Sequence, residues 1–167
     1  MVEAFACARL QNEFRELSQN EDIGFSVGLI DDNLFNWSVC FSGPQDTAWE
    51  GGLYMATLRF PPQYPNSPPE MIFRTEMWHP NIFPDGRVCI SILHPPGEDQ
   101  FNQYESASER WRPILGVEAI LVSVISMLND PNLDSPANID AAVQYRNDKS
   151  GYLRRVRRLA QKSVESL

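Results

Sequence analysis

Apolar side chains return every three or four residues at Cys7, Leu10, Phe14 and Leu17 with polar positions between, which predicts an amphipathic helix over residues 3–18. The period then drops to two. Phe25, Val27 and Leu29 alternate with glycine and serine, and Phe35, Trp37, Val39 and Phe41 alternate with Asn36, Ser38 and Cys40, so two strands follow, joined by a turn at Asp31-Asp32-Asn33. Ser42-Gly43-Pro44 closes the second strand, Gly51-Gly52 precedes a third over residues 53–60, and a short fourth covers about 70–74. Four consecutive strands with short links imply an antiparallel meander. Residues 116–128 are apolar almost all round, which predicts a central helix packed under the sheet. Asn138 is placed to cap a helix over 139–146, and Leu153, Val156, Leu159, Ala160 and Val164 mark a last amphipathic helix. The fold class is α+β, and with no internal repeat the 167 residues form one domain over 1–167.

From Phe60 to Pro96, on either side of the short fourth strand, the pattern breaks down. Prolines at 61, 62, 65, 68, 69, 80, 84, 95 and 96 each remove a backbone donor and fix φ, so this stretch is rigid but irregular. Rigid loops are where reactive groups are mounted, and this one holds Cys89, His79 and His94. Residues 95–109 have no apolar period and carry Glu98, Asp99, Glu105 and Glu109, a long acidic loop of the kind that is functional or disordered.

Composition narrows the class. With 43% hydrophobic residues the chain can bury a core without metals or disulfides, and Cys7, Cys40 and Cys89, an odd number with no C-x-x-C pair, argue against a disulfide framework or structural zinc. A reducing compartment is expected, as is the absence of a signal peptide or membrane span, because the longest apolar run is broken by Ser123 and Ser126. The net charge of -8 is uneven: residues 1–145 hold 20 acidic and 7 basic side chains, residues 146–167 hold 2 and 7. So acidic a body repels a phosphate backbone, which excludes nucleic acid as a partner and leaves Arg154, Arg155, Arg157 and Arg158 as a solvated helix face.

One cysteine with a histidine ten residues away is weak evidence of catalysis, since a buried free cysteine ordinarily serves as a small hydrophobe. The surrounding sequence says more. His79-Pro80-Asn81-Ile82 is followed by Asp85-Gly86-Arg87-Val88-Cys89-Ile90, flanked by Gly43-Pro44, Tyr64-Pro65, Pro68-Pro69, Trp111, Asp130-Pro131-Asn132 and Ser135-Pro136. In these motifs, over nearly its full length, the chain resembles the ubiquitin-conjugating enzymes. The long loop with His94-Pro95-Pro96-Gly97-Glu98-Asp99 and Tyr104-Glu105-Ser106 resembles the G-type branch, which is associated with ubiquitin chain building and with degradation at the endoplasmic reticulum.

The resemblance implies that family's fold and an acyl transfer in which Cys89 takes ubiquitin's carboxyl as a thioester and a lysine amine then attacks it. A thiolate suits both steps, being a strong nucleophile and a ready leaving group. Asn81 is implied as the amide that stabilises the oxyanion, while also bracing its loop. His79 is implied as a loop brace and not as the general base of a Cys-His hydrolase; a carrier gains from having no base beside its thiol, because such a base would activate water. The attacking lysine must lose a proton, and Glu98, Asp99, His94, Tyr104 and Ser135 are the groups expected to modulate that step. Many relatives have Asp where Ser135 stands, which shifts the role toward the loop.

Ligase and activating-enzyme contacts are implied for Arg9 on the first helix, Pro65 and Asn66 in the proline loop, and Arg112 and Pro113. Asn66 departs from the family, which usually places an apolar side chain there to enter a ligase groove. The implied partners are ubiquitin, its activating enzyme, a RING-type ligase and a substrate protein or acceptor ubiquitin, with no direct membrane insertion. No cofactor is expected on this chain, since the activating enzyme uses the ATP. The location is cytoplasmic, with any recruitment to the endoplasmic reticulum left to a membrane partner. Alternatives are an inactive conjugating-like binding module, a conjugating enzyme for another small modifier, and a cysteine hydrolase.

Overall fold

The computed structural model describes residues 1–21, 23–97, 105–165 and 167. Helix α1 (Val2–Gln19) is followed by β1 (Phe25–Ile30), β2 (Asn33–Ser42), β3 (Leu53–Arg59) and β4 (Glu70–Phe73), then a 3-10 turn at Ser91–Leu93, and helices α2 (Val117–Leu128), α3 (Ile139–Asn147) and α4 (Lys149–Glu165). The strands pair antiparallel in the order β1-β2-β3-β4, which is the meander predicted from period two.

The pleat explains the register. Phe25 faces Phe41, Leu29 and Leu58 both face Trp37, and Ala56 faces Val39, so one side of the sheet is a continuous apolar layer. Trp37 is fully buried, edge-on to Phe14 of α1 with centroids 5.2 Å apart and tilted against Phe60 at 5.0 Å. The β1–β2 turn is one residue shorter than predicted. Asp31 and Asp32 both take positive φ (53° and 55°), the backbone that matches strand twist in a two-residue hairpin, and this lets Asn33 pair with Ile30 as the first residue of β2. The α2 helix buries Val117, Ile120, Leu121, Val124, Met127 and Leu128 in the same core, yet Glu118, Val122 and Ser126 are exposed, so it is not enclosed all round as its composition suggested.

The segment carrying the cysteine is a short hairpin attached to the sheet's β4 edge. Val88 N–H donates to Met71 O at 3.0 Å and Phe73 N–H to Gly86 O at 2.8 Å, while Phe83 N–H bonds Arg87 O at 2.8 Å and Cys89 N–H bonds Asn81 O at 2.9 Å within the hairpin. Its other side is held by Pro80 O, which accepts from Ala137 N–H (2.8 Å) and Asn138 N–H (3.0 Å). Asn138 also caps α3, its side chain accepting from Ala141 N–H at 3.1 Å, so the hairpin is clamped between the sheet and the start of a helix.

Candidate active site

His79 and Asn81 are both buried beneath the hairpin. Asn81 N–H donates to His79 Nδ1 at 2.9 Å, so that nitrogen carries the lone pair and Nε2 carries the hydrogen, donated to Met127 O at 2.8 Å near the end of α2. Burial drives the His79 pKa down to about 4 and leaves the ring neutral, with both nitrogens occupied. The Asn81 side chain is held as tightly: Nδ2 donates to Asn132 O and Oδ1 accepts from Asn132 N–H, each at 2.8 Å.

Cys89 is half-buried and lines a cleft of about 370 Å³ together with Asn81, His94, Glu105, Glu109, Ser123, Asp130, Asp134 and Ser135. The structure therefore brings Cys89, Asn81, His94 and Ser135 together, and Ser135 is exposed. Three other residues singled out from the sequence, Glu98, Asp99 and Tyr104, lie outside the described residues.

A histidine does stand beside the thiol, contrary to the expectation of no adjacent base, and it is His94. The 3-10 turn at Ser91–Leu93 folds the chain back on itself, with Leu93 N–H on Ile90 O and His94 N–H on Ser91 O, both at 3.0 Å. His94 Nε2 is thereby brought to 3.7 Å from Cys89 Sγ. Its Nδ1 contacts Glu105 Oε2 at 2.7 Å, the same oxygen that accepts from Ser91 Oγ at 2.7 Å, and the other Glu105 oxygen pairs with the Arg110 guanidinium. Contacts with Cys89 and Glu105 raise the His94 pKa above its ordinary value against the opposing effect of partial burial.

Among the expected partner-contact residues, Asn66, Arg112 and Pro113 are exposed. Pro65 is buried and its carbonyl accepts the Trp111 indole N–H at 2.7 Å, so the proline loop presents Asn66 and not Pro65. Arg9 donates to Pro113 O (3.3 Å) and Leu115 O (2.8 Å) and pairs with Glu13 at 3.1 Å, which makes it the strut of the 112–115 loop. The four α4 arginines are exposed, with Arg155 lying 3.5 Å over the Trp78 ring.

The profile of the ubiquitin-conjugating enzyme family matches residues 9–160, nearly the whole chain. Ubiquitin-conjugating enzyme E2 15 of Schizosaccharomyces pombe is 54% identical over 159 residues, covering 95% of each chain. Ubiquitin-conjugating enzyme E2 13 of Arabidopsis thaliana is 51% identical over 161 residues, 96% of each chain. The chain belongs to the ubiquitin-conjugating enzyme family. It is thus an acyltransferase working with ubiquitin, an activating enzyme and ligases. Its 48% identity to the human Ubiquitin-conjugating enzyme E2 G2, over 95% of this chain and 96% of that one, agrees with the G-type features of the sequence.

The sequence marks Glu105 only as one acidic residue of the long loop and gives Arg110 no role. Both sit at the far end of an aperiodic loop, and the one available signal was an acidic residue followed five positions later by a basic one just before Trp111. Asp134, beside Ser135, lines the same cleft, and no sequence pattern marks it.

Proposed function

We propose that Cys89 accepts ubiquitin's C-terminal carboxyl as a thioester and passes it to a lysine of a substrate or growing chain, with Asn81 stabilising the oxyanion of the second step. The observation that carries this reading is a half-buried thiol lining the same cleft as Asn81. An amide oriented in advance stabilises developing negative charge without reorganising, an effect of roughly 3 kcal/mol. The cleft suits an ammonium, since Glu109, Asp130 and Asp134 line it beside His94. We assign the deprotonation of the attacking lysine to these carboxylates together with Glu98, Asp99, His94 and Ser135, with Tyr104 in the same loop.

RING-type ligases are proposed to engage Asn66, Arg112 and Pro113, with Arg9 and Pro65 supporting those loops from within. The chain needs no cofactor of its own. It acts in the cytoplasm in protein degradation at the endoplasmic reticulum, brought there by a membrane partner; no helix among the described residues is long and apolar enough to cross a membrane.

The test is a charging reaction with activating enzyme, ATP and either ubiquitin or another small modifier. A ubiquitin adduct removed by thiol reductant, abolished in Cys89→Ala and converted to a reductant-resistant ester in Cys89→Ser is the expected result. Charging with a different modifier alone would replace the cargo, and no adduct at all would leave a binding module.

A further inference from the structure

Building on the reading of Cys89 as the ubiquitin carrier, we propose that Glu105 is a positioning residue that sets the tautomer of His94, so that His94 serves as general base to the Cys89 thiol. Glu105 is buried and held from two further directions, by the Ser91 hydroxyl at 2.7 Å and by the Arg110 guanidinium. As a carboxylate it can only accept, so its 2.7 Å contact with His94 Nδ1 must be filled by a hydrogen on that nitrogen. A neutral imidazole has a single N–H. Nε2 is left with a lone pair, and it is this nitrogen that stands 3.7 Å from Cys89 Sγ. Without the carboxylate, either nitrogen could carry the hydrogen, and the ring could equally present an N–H to the sulfur.

The backbone around the imidazole is fixed as well. The 3-10 turn holds His94 N–H on Ser91 O, and Trp111 N–H donates to His94 O at 3.1 Å. Ring orientation is therefore the freedom that Glu105 removes. Cys89 and Glu105 touch the ring; Arg110 lies behind Glu105, and Glu109, Asp130 and Asp134 line the same cleft.

In the charging step the Cys89 proton passes to His94 Nε2, and the sulfur lone pair forms a bond to the carbonyl carbon of the activating enzyme's ubiquitin thioester. The bond from that carbon to the activating enzyme's cysteine breaks. Its thiolate leaves and takes the proton from the imidazolium, which returns His94 to neutrality with the thioester now on Cys89.

The experiment follows iodoacetamide alkylation of Cys89, read on its own peptide by mass spectrometry, between pH 5.5 and 9.5 in the full-length wild type, His94→Gln, Glu105→Gln and Glu105→Asp. Wild type is expected to keep a reactive shoulder near neutrality. His94→Gln and Glu105→Gln are expected to lose about 10-fold there and to keep only the reactivity that rises with alkaline pH, with partial rescue in Glu105→Asp. Charging by limiting activating enzyme at pH 7 is expected to slow by about 10²-fold in His94→Gln. A Glu105→Gln profile that overlays wild type overturns the proposal, as does an unchanged His94→Gln profile. Should Glu105→Gln not fold, long-range ¹⁵N imidazole spectra of the wild type decide: the hydrogen on His94 Nδ1 supports the assignment and a hydrogen on Nε2 overturns it. Alkylation needs no ubiquitin, so a missing thioester in the charging assay sinks the carrier reading alone, while normal charging with a flat alkylation profile sinks this one.

Discussion

Asn81 and Asn132 hold each other by two hydrogen bonds, the Asn81 amide donating to Asn132 O and accepting from Asn132 N–H, both at 2.8 Å. The side chain is thus a splint between the Cys89 hairpin and the chain after α2. An amide NH₂ has two hydrogens, and only one is needed for Asn132, so the splint can also serve as an oxyanion donor. The two jobs are separable by experiment.

Asn81→Ala removes both bonds of the splint and is expected to destabilise the fold by about 2 kcal/mol, read by urea unfolding. It is expected to load ubiquitin at close to the normal rate but to discharge it to free lysine about 10²-fold more slowly. Equal loss in both steps would show that the splint alone matters.

His79 predicts an acid limb of stability. Its folded pKa of about 4 lies below the ordinary 6.5, so its contribution is complete above pH 6.5 and is lost as pH falls toward 4, by roughly 2 kcal/mol at pH 5. His94, with a raised pKa, works in the opposite sense, adding stability below its unfolded pKa that disappears as pH rises through its folded value. Urea midpoints of His94→Gln between pH 7.5 and 5 should therefore fall more steeply than those of the wild type. A flat profile in that variant would mean that His79 binds its proton as readily folded as unfolded.

Glu13 ties three elements together. Its carboxylate accepts from Val117 N–H at 2.8 Å at the start of α2, from the Tyr64 hydroxyl and from Arg9. Glu13→Ala leaves the buried Tyr64 hydroxyl and a helix N-terminal N–H without acceptors and is expected to destabilise by about 3 kcal/mol. Arg9→Ala, at a partly exposed side chain, should lose only about 1 kcal/mol. Chemical denaturation of the two variants and of the double variant measures the coupling.

Gly86 has φ of +101°, and a Cβ there would lie 2.3 Å from Phe73 O. Gly86→Ala would have to break the attachment of the hairpin to β4, at an expected loss of about 3 kcal/mol. Thermal melts read the loss, and charging should fall with it because Cys89 stands three residues on.

How much of this was legible beforehand follows from the range of each interaction. Period two in residues 25–41 and the heptad-like spacing of Cys7 to Leu17 report contacts of a single face, so the elements and their order could be read to within a residue or two. The turn at Asp31-Asp32 came out one residue shorter because twist, and not residue type, selects its length. His79, Asn81 and Cys89 were found through a motif. The His94–Glu105 contact spans eleven positions of aperiodic chain, and the bonds from Arg9 to the carbonyls of Pro113 and Leu115 cross more than a hundred. Neither leaves a period to detect, and a charged side chain that braces a loop reads the same as one that greets a partner.

Trp111 grips both loops at once, its indole on Pro65 O and its amide on His94 O. Protein engineers wishing to swap ligase preference would therefore do poorly to graft the 61–69 stretch in isolation. A chimaera that also transplants the donor's residues from the cysteine through this tryptophan keeps a co-adapted unit intact, whereas a partial exchange would retune reactivity as an unintended side effect.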